Sequence, residues 1–315
     1  MQFTTPVPIE KSSSPIDYQS KILLLGSCFA ENMGEKFSYF KFQTTVNPFG
    51  IIFNPVSIEK LIYRAVNKIG FTEKDIFFHN ESWHCFEIHS ELSNPDKEIF
   101  LENLNQLIES TNNQIHQLTH CIITLGTAWV YNHKVTNQIV ANCHKVPQKE
   151  FTKELLSVET IEKSIKNTVD LIQSINSNCK FIFTVSPVRH TKDGFFENNV
   201  SKAHLLSALH KVLQVSPLGT YFPSYEIMID ELRDYRFYAQ DMLHPNQTAI
   251  DYIWIKFFEN YVNKNEFETM QQVCDIQKAL AHKPFNNESI SHKKFLENIN
   301  QKINTLAKKM PHIKF

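Results

Sequence analysis

Lys21-Ile-Leu-Leu-Leu-Gly-Ser-Cys-Phe-Ala30 is the stretch that decides how the chain reads. Ile22 to Leu25 form a continuous apolar run, the pattern of a strand buried on both faces of a sheet. Gly26 ends the run, and Phe29-Ala-Glu-Asn-Met33 continues at helical spacing. Ser27 and Cys28 therefore fall where a buried strand turns sharply into a helix. Open α/β sheets bind ligands at the carboxyl ends of their strands. A side chain held at such a turn is exposed, beside helix-start N–H groups that stabilise an anion. The plainer alternative is a β–turn–α junction whose cysteine is only a small buried hydrophobe.

Working outward, residues 1–20 are polar with three prolines and read as an extended lead-in. Phe42-Gln-Thr-Thr-Val46 reads as a strand, followed by the turn-forming Asn47-Pro-Phe-Gly50. Asn54-Pro-Val-Ser57 opens a helix with Leu61, Ile62 and Ala65 on its inner face. Residues 81–89 alternate like a short strand on an excursion from the sheet. Pro95-Asp96 starts a helix with Phe100, Leu104, Leu107 and Ile108 on one face, leading to the apolar strand His120–Leu125 and Gly126-Thr-Ala-Trp129. Val130-Tyr131 and Gln138-Ile-Val140 flank a polar turn and predict a hairpin ending in Asn142-Cys-His-Lys-Val-Pro147. A helix over about 155–175, a strand at Lys180–Val185, helical pattern at 200–213 and a short strand at Tyr221-Phe222 follow. Pro245 suits the first turn of a helix carrying Ile250, Ile253, Trp254 and Phe257. Strands alternating with helices predict a parallel sheet covered on both faces. Residues 263–315 are charged and helical in pattern, so the division is a domain over 1–262 and a helical C-terminal extension.

The 315 residues are 42% hydrophobic and 12% aromatic, ample for a packed core. A net charge of −1 argues against nucleic acid or an anionic membrane as partner. No signal-peptide pattern is visible in Met1 to Tyr18, and no apolar run approaches the roughly 18–20 residues that cross a bilayer. The expectation is a cytoplasmic protein whose six scattered cysteines form no disulfides. Three of the seven glycines, Gly26, Gly50 and Gly126, fall in the loops singled out as site loops. That pattern suits backbone that cannot carry a Cβ.

Asp241 and His244 stand three apart ahead of the last helix of the sheet domain. This spacing lets the carboxylate hold one imidazole nitrogen while the other faces a nucleophile. A histidine within reach of a thiol lowers its pKa from about 8.5 and yields a reactive thiolate. A lone Asp-x-x-His pair is a common incidental match; its position after the last βα unit gives it weight.

At Gly26-Ser-Cys-Phe-Ala30 the chain resembles the GSCFA family, which looks like a branch of the SGNH/GDSL hydrolase superfamily. The resemblance runs from about Lys21 to Phe258. It takes in Asn47-Pro-Phe-Gly50, Leu125-Gly-Thr-Ala128, Asn142-Cys-His-Lys145, Tyr221-Phe-Pro-Ser-Tyr-Glu226 and the closing Asp241-x-x-His244. It implies a flavodoxin-like three-layer α/β/α sandwich and acyl-ester hydrolysis, with an O-acylated (often acetylated) carbohydrate or small ester as substrate. The superfamily nucleophile maps to Cys28, and Ser27 takes the place of the motif aspartate; Ser27 remains the rival nucleophile. Asp241 and His244 map to the closing pair. The oxyanion donors implied are the N–H groups of Cys28 and Gly50. The third-block asparagine is absent at Gly126-Thr127-Ala128, so Asn47 or the Thr127 hydroxyl is left as its replacement. Thioester or acyl-transfer chemistry would also suit a thiol, and no cofactor is implied.

Several further residues are candidates for the substrate cleft. Asn142 and His144 with Cys143 either line it or satisfy their own hairpin end. Arg189 and His190 follow a strand on the active edge and suit an anionic substrate or a solvated loop. Phe49, Trp129 and Tyr225 suit a stacking wall or the core, and Glu226 suits a helix cap or a hydroxyl contact. His84, Cys85 and His89 cannot converge from one strand, since His84 faces opposite to both others, so no metal is expected. A binding protein on a hydrolase scaffold, with weak or no catalysis, is the alternative from another class.

Overall fold

The side chains of β1 (Lys21–Gly26) divide between two layers: Leu23 and Leu25 enter one apolar cluster, Ile22 and Leu24 the other. The same alternation recurs in β5 (His120–Leu125) and β9 (Lys180–Val185), where Ile122 and Ile182 face the second cluster and their neighbours the first. Strands buried on both faces need helices on both faces. A computed structural model describes residues 4–215, 219–286 and 289–315.

After β1 come α1 (Cys28–Tyr39), β2 (Gln43–Val46), α2 (Pro55–Val66), the antiparallel pair β3 (Phe77–His79) and β4 (Ser82–His84), and α3 (Lys97–Ile115). Between β5 and β9 lie β6 (Trp129–His133), β7 (Gln138–Val140), β8 (Phe151–Leu155) and α4 (Val158–Ile175). Then follow α5 (Phe195–Val215), β10 (Thr220–Tyr221), α6 (Ser224–Glu226), which runs into a π-helical turn at Ile227–Leu232, α7 (Gln247–Tyr261), α8 (Phe267–Ala281) and α9 (Ile290–Lys309).

The central sheet has five parallel strands in the order β2-β1-β5-β9-β10. Taken in chain order this is 2-1-3-4-5, the flavodoxin-like order, whose ligand site lies where the winding reverses between the first and third strands. Helices α2, α3, α4 and α5 cover one face, through residues such as Leu61, Leu104, Ile165 and Leu209. Helices α1, α7, α8 and α9 cover the other, through Phe37, Trp254, Val273 and Leu306. The architecture is the expected α/β/α sandwich with a helical C-terminal part. That part is packed into the domain: Ile16 bridges Val262, and Met270, Ile276 and Ile299 are buried in the same cluster as α1. No helix among the described residues is long and apolar enough to cross a membrane.

Local readings differ from the structure in four places. The strand expected over 81–89 ends at His84, because the backbone turns at Cys85 and Ile88, where both side chains are buried. A third strand, β8, pairs with β6 beside the expected hairpin. Its exposed Thr152, Lys153 and Glu154 mask any period-2 pattern. Helix α5 starts at Phe195, ahead of the periodic region. Pro245 does not open α7; Asn246 is the N-cap, its Oδ1 accepting the Ala249 N–H at 3.1 Å.

Candidate active site

Cys28 is the first residue of α1, and Ser27 is its N-cap. The Ser27 hydroxyl accepts the Phe29 N–H at 3.3 Å, while its own N–H donates to Thr124 O at 3.1 Å across to β5. Ser27 is fully buried, so its side chain serves the helix start. Gly26 permits the turn. Its φ is +126°, and a Cβ there would stand 2.0 Å from Thr124 O.

The turn after β2 wraps over this junction. Asn47 Oδ1 accepts the Gly26 N–H at 2.9 Å, and Gly26 O accepts the Ile52 N–H at 2.9 Å. Asn47 Nδ2 reaches Glu31 Oε1 at 3.5 Å. Gly50, at φ +75°, packs against His89, and its N–H donates to Asn47 O at 2.7 Å to close the turn. The N–H expected as an oxyanion donor is therefore engaged. Phe49 is 2% exposed and belongs to the core, not to a cleft wall.

Burial, followed by the Glu31 carboxylate, pushes the Cys28 thiol above its ordinary value. Its own N–H, the Lys202 ammonium and the Phe29 N–H pull the other way without prevailing. The lowering by a histidine expected from the sequence is not found: burial and Glu31 raise the thiol instead.

Asp241 and His244 form their pair. Asp241 Oδ2 lies 2.6 Å from His244 Nδ1, and Oδ1 accepts the N–H groups of Leu243 and His244 at 2.9 and 3.0 Å. Those backbone donors, then the imidazole, hold the Asp241 carboxyl at about 2. Arg189 ties this loop to the end of β9: its N–H donates to Leu243 O and its guanidinium to Met242 O, both at 3.1 Å. The guanidinium also lies over the rings of Phe195, Tyr235 and Tyr238 at 5.3–5.6 Å. Arg189 is thereby spent on the loop. His190, next to it, is pushed down to about 3 by burial, then by its neighbours Lys202 and His244. Its Nε2 is buried without a partner, and its ring meets Phe53 edge-on at 5.5 Å.

The remaining expected residues divide. Thr127 Oγ1 bonds Ser201 Oγ at 3.0 Å and accepts the Trp129 N–H, so it holds the third-block turn. Gly126 packs its Cα against Phe53 with its N–H on Phe53 O. Trp129 donates to Glu197 O, and Lys153 lies 4.9 Å from its ring centroid. Asn142 Oδ1 accepts the His144 N–H at 2.8 Å, and buried His144 bonds Cys85 O at 2.7 Å. Burial lowers His144 to about 4 and keeps it neutral. Backbone takes the His144 Nε2 while its Nδ1 is buried without a partner, and the ring lies in an aromatic cluster with Phe77, His84 and Phe86. Both Glu226 oxygens accept the Tyr221 hydroxyl at 2.9 Å. Tyr225 lies beside Lys202. Among the described residues no group of three or more His, Cys, Asp or Glu could hold a metal, and all six cysteines are free.

Sequence reading passed over Lys202. It is 1% exposed, and its Nζ donates to Gly126 O at 2.8 Å and Ser186 O at 2.7 Å. Burial draws it down to about 7, with Cys28 opposing. The signal was present: Lys202 precedes Leu205, Leu209 and Val212 at helical spacing on the apolar face of α5.

No curated protein matches the chain. The model of the GSCFA family matches residues 21–257, and that of the GSCFA domain protein C-terminal domain matches residues 273–315. With the first match alone spanning most of its length, the chain belongs to the GSCFA family.

Proposed function

We propose that the chain is an acyl-ester hydrolase of the SGNH type that works through sulfur. The observation that carries the reading is the Asp241–His244 pair, tied by Arg189 to the carboxyl end of the sheet whose first strand delivers Cys28 to a helix start. His244 Nε2 takes the Sγ proton as sulfur attacks the acyl carbonyl; the imidazolium then protonates the departing alkoxide, leaving a thioester on Cys28. Water attacks next, His244 takes its proton, and the carboxylic acid leaves as the thiol is restored. Asp241 fixes the ring through Nδ1 and stabilises the imidazolium. The Cys28 N–H is one oxyanion donor. The Asn47 Nδ2, whose hydrogen bond is the long contact to Glu31, is the second. An O-acetylated carbohydrate or small ester is the substrate class, and free cysteines suit a reducing, cytoplasmic setting.

Turnover of p-nitrophenyl acetate tests this with Cys28→Ala and Ser27→Ala. Loss in the first and retention in the second is expected; loss only in the second transfers the role to Ser27. A binding protein on this scaffold is the second reading, favoured by the engaged Gly50 N–H and Thr127 hydroxyl. Iodoacetamide labelling at neutral pH separates the two: selective, His244-dependent modification of Cys28 fits the hydrolase, and the slow labelling of an ordinary buried thiol fits the binder.

A further inference from the structure

Tyr221, the last residue of β10, and Glu226, the last of α6, meet beside α5. Tyr221 pairs with Phe183 of β9, and its carbonyl accepts the Tyr261 hydroxyl at 3.0 Å. The α6 turn is pinned to the same strand, where Ser224 Oγ donates to Val185 O at 2.8 Å. Both side chains therefore start from fixed backbone. With Leu206, Leu209 and Leu213, which share one face of α5, they line a cleft of about 400 Å³. The exposed His210 also borders it.

The charge in this cleft is unbalanced. Glu226 is half-buried, and no Lys, Arg or His among the described residues forms an ion pair with it. Its side-chain partner is the Tyr221 hydroxyl, 2.9 Å from each oxygen. A hydroxyl has one proton and serves one oxygen at a time, whereas a carboxylate accepts about four hydrogen bonds. Burial raises the carboxyl, and the Tyr221 hydrogen bond offsets this only in part. A carboxylate set beside leucines without a cation is costly, and a glutamine would keep the contact to Tyr221 without the charge.

We propose that this cleft binds a small organic ammonium ion, its N–H groups on the Glu226 carboxylate and its hydrocarbon body against Leu206, Leu209 and Leu213. The ligand supplies the charge that the chain omits, and the leucines select an amine that carries an apolar group. A neutral alcohol of the same shape fills the walls and leaves the carboxylate unpaired; an anionic ligand is repelled. The inference does not rest on the hydrolase reading, since none of these residues takes part in the ester chemistry proposed for Cys28.

The test is isothermal titration calorimetry of the full chain with phenethylamine and with phenethyl alcohol, in the wild type and in Glu226→Gln. The amine is expected to bind the wild type at least about tenfold more tightly than the alcohol, and Glu226→Gln to bring it down to the alcohol's level. Equal affinity for amine and alcohol overturns the inference, as does an amine affinity that Glu226→Gln leaves unmoved. Absence of amine binding up to about 10 mM overturns it as well. Should Glu226→Gln not fold, Leu206→Trp, which fills the half-exposed wall of the cleft, decides: the amine is expected to be excluded, and unchanged binding overturns the inference.

Discussion

Asp241 holds His244 twice, by Oδ2 to the ring Nδ1 at 2.6 Å and by Oδ1 to the backbone N–H at 3.0 Å. One carboxylate therefore shapes the loop and fixes the tautomer of the ring, which ties the loop conformation directly to the proposed base.

Asp241→Asn keeps an oxygen for the backbone donors and loses the charge at Nδ1. Ester turnover is expected to fall by about 10²-fold or more with the melting temperature little changed. Kinetics and thermal unfolding on the same sample check this.

The pH dependence of the loop follows from the same group. Asp241 sits at about 2 in the folded chain, below the unfolded value of about 3.9. Its stabilisation is complete above the unfolded value and is lost as pH falls through the folded one. Amide exchange at Leu243 and His244 is expected to stay protected down to the carboxylate range and to open only below it.

Gly26→Ala puts a Cβ 2.0 Å from Thr124 O at φ +126°. Strain and overpacking together predict a loss of about 3 kcal/mol or more, measured by denaturant unfolding.

Ser27→Ala removes an N-cap hydroxyl. A loss of about 1 kcal/mol is expected with Cys28 labelling preserved. Parallel unfolding and alkylation experiments check both halves.

Ile276 of α8 is buried in the cluster that includes Phe37 and Trp254. Ile276→Ala is expected to cost about 2–5 kcal/mol and to lower one shared unfolding transition. Calorimetry showing an unaffected main transition would mean that the extension unfolds by itself.

The apolar runs at Ile22–Leu25, His120–Leu125 and Lys180–Val185 made the sheet legible, since burial on both faces leaves an uninterrupted signature. Asp241 and His244 were legible because their spacing lies within one turn. Lys202 stands at helical spacing with Leu205, Leu209 and Val212 yet reads as solvated, because a lysine in a helical pattern usually is, and its partners are backbone carbonyls that carry no side-chain signal. The use of the Gly50 N–H was hidden for a similar reason: it closes its own turn on Asn47 O. The direction of the Cys28 shift was hidden too, because it depends on burial and on Glu31 one turn along the helix.

The most direct measurement is the site of acylation. The wild-type chain and His244→Ala are mixed with p-nitrophenyl acetate, quenched in acid within the first turnover and mapped by peptide mass spectrometry. The account predicts one acetyl group, carried by the Cys28 sulfur and formed in a His244-dependent manner. Acetyl on Ser27, or a chain that turns the ester over with Cys28 unmodified, would contradict it.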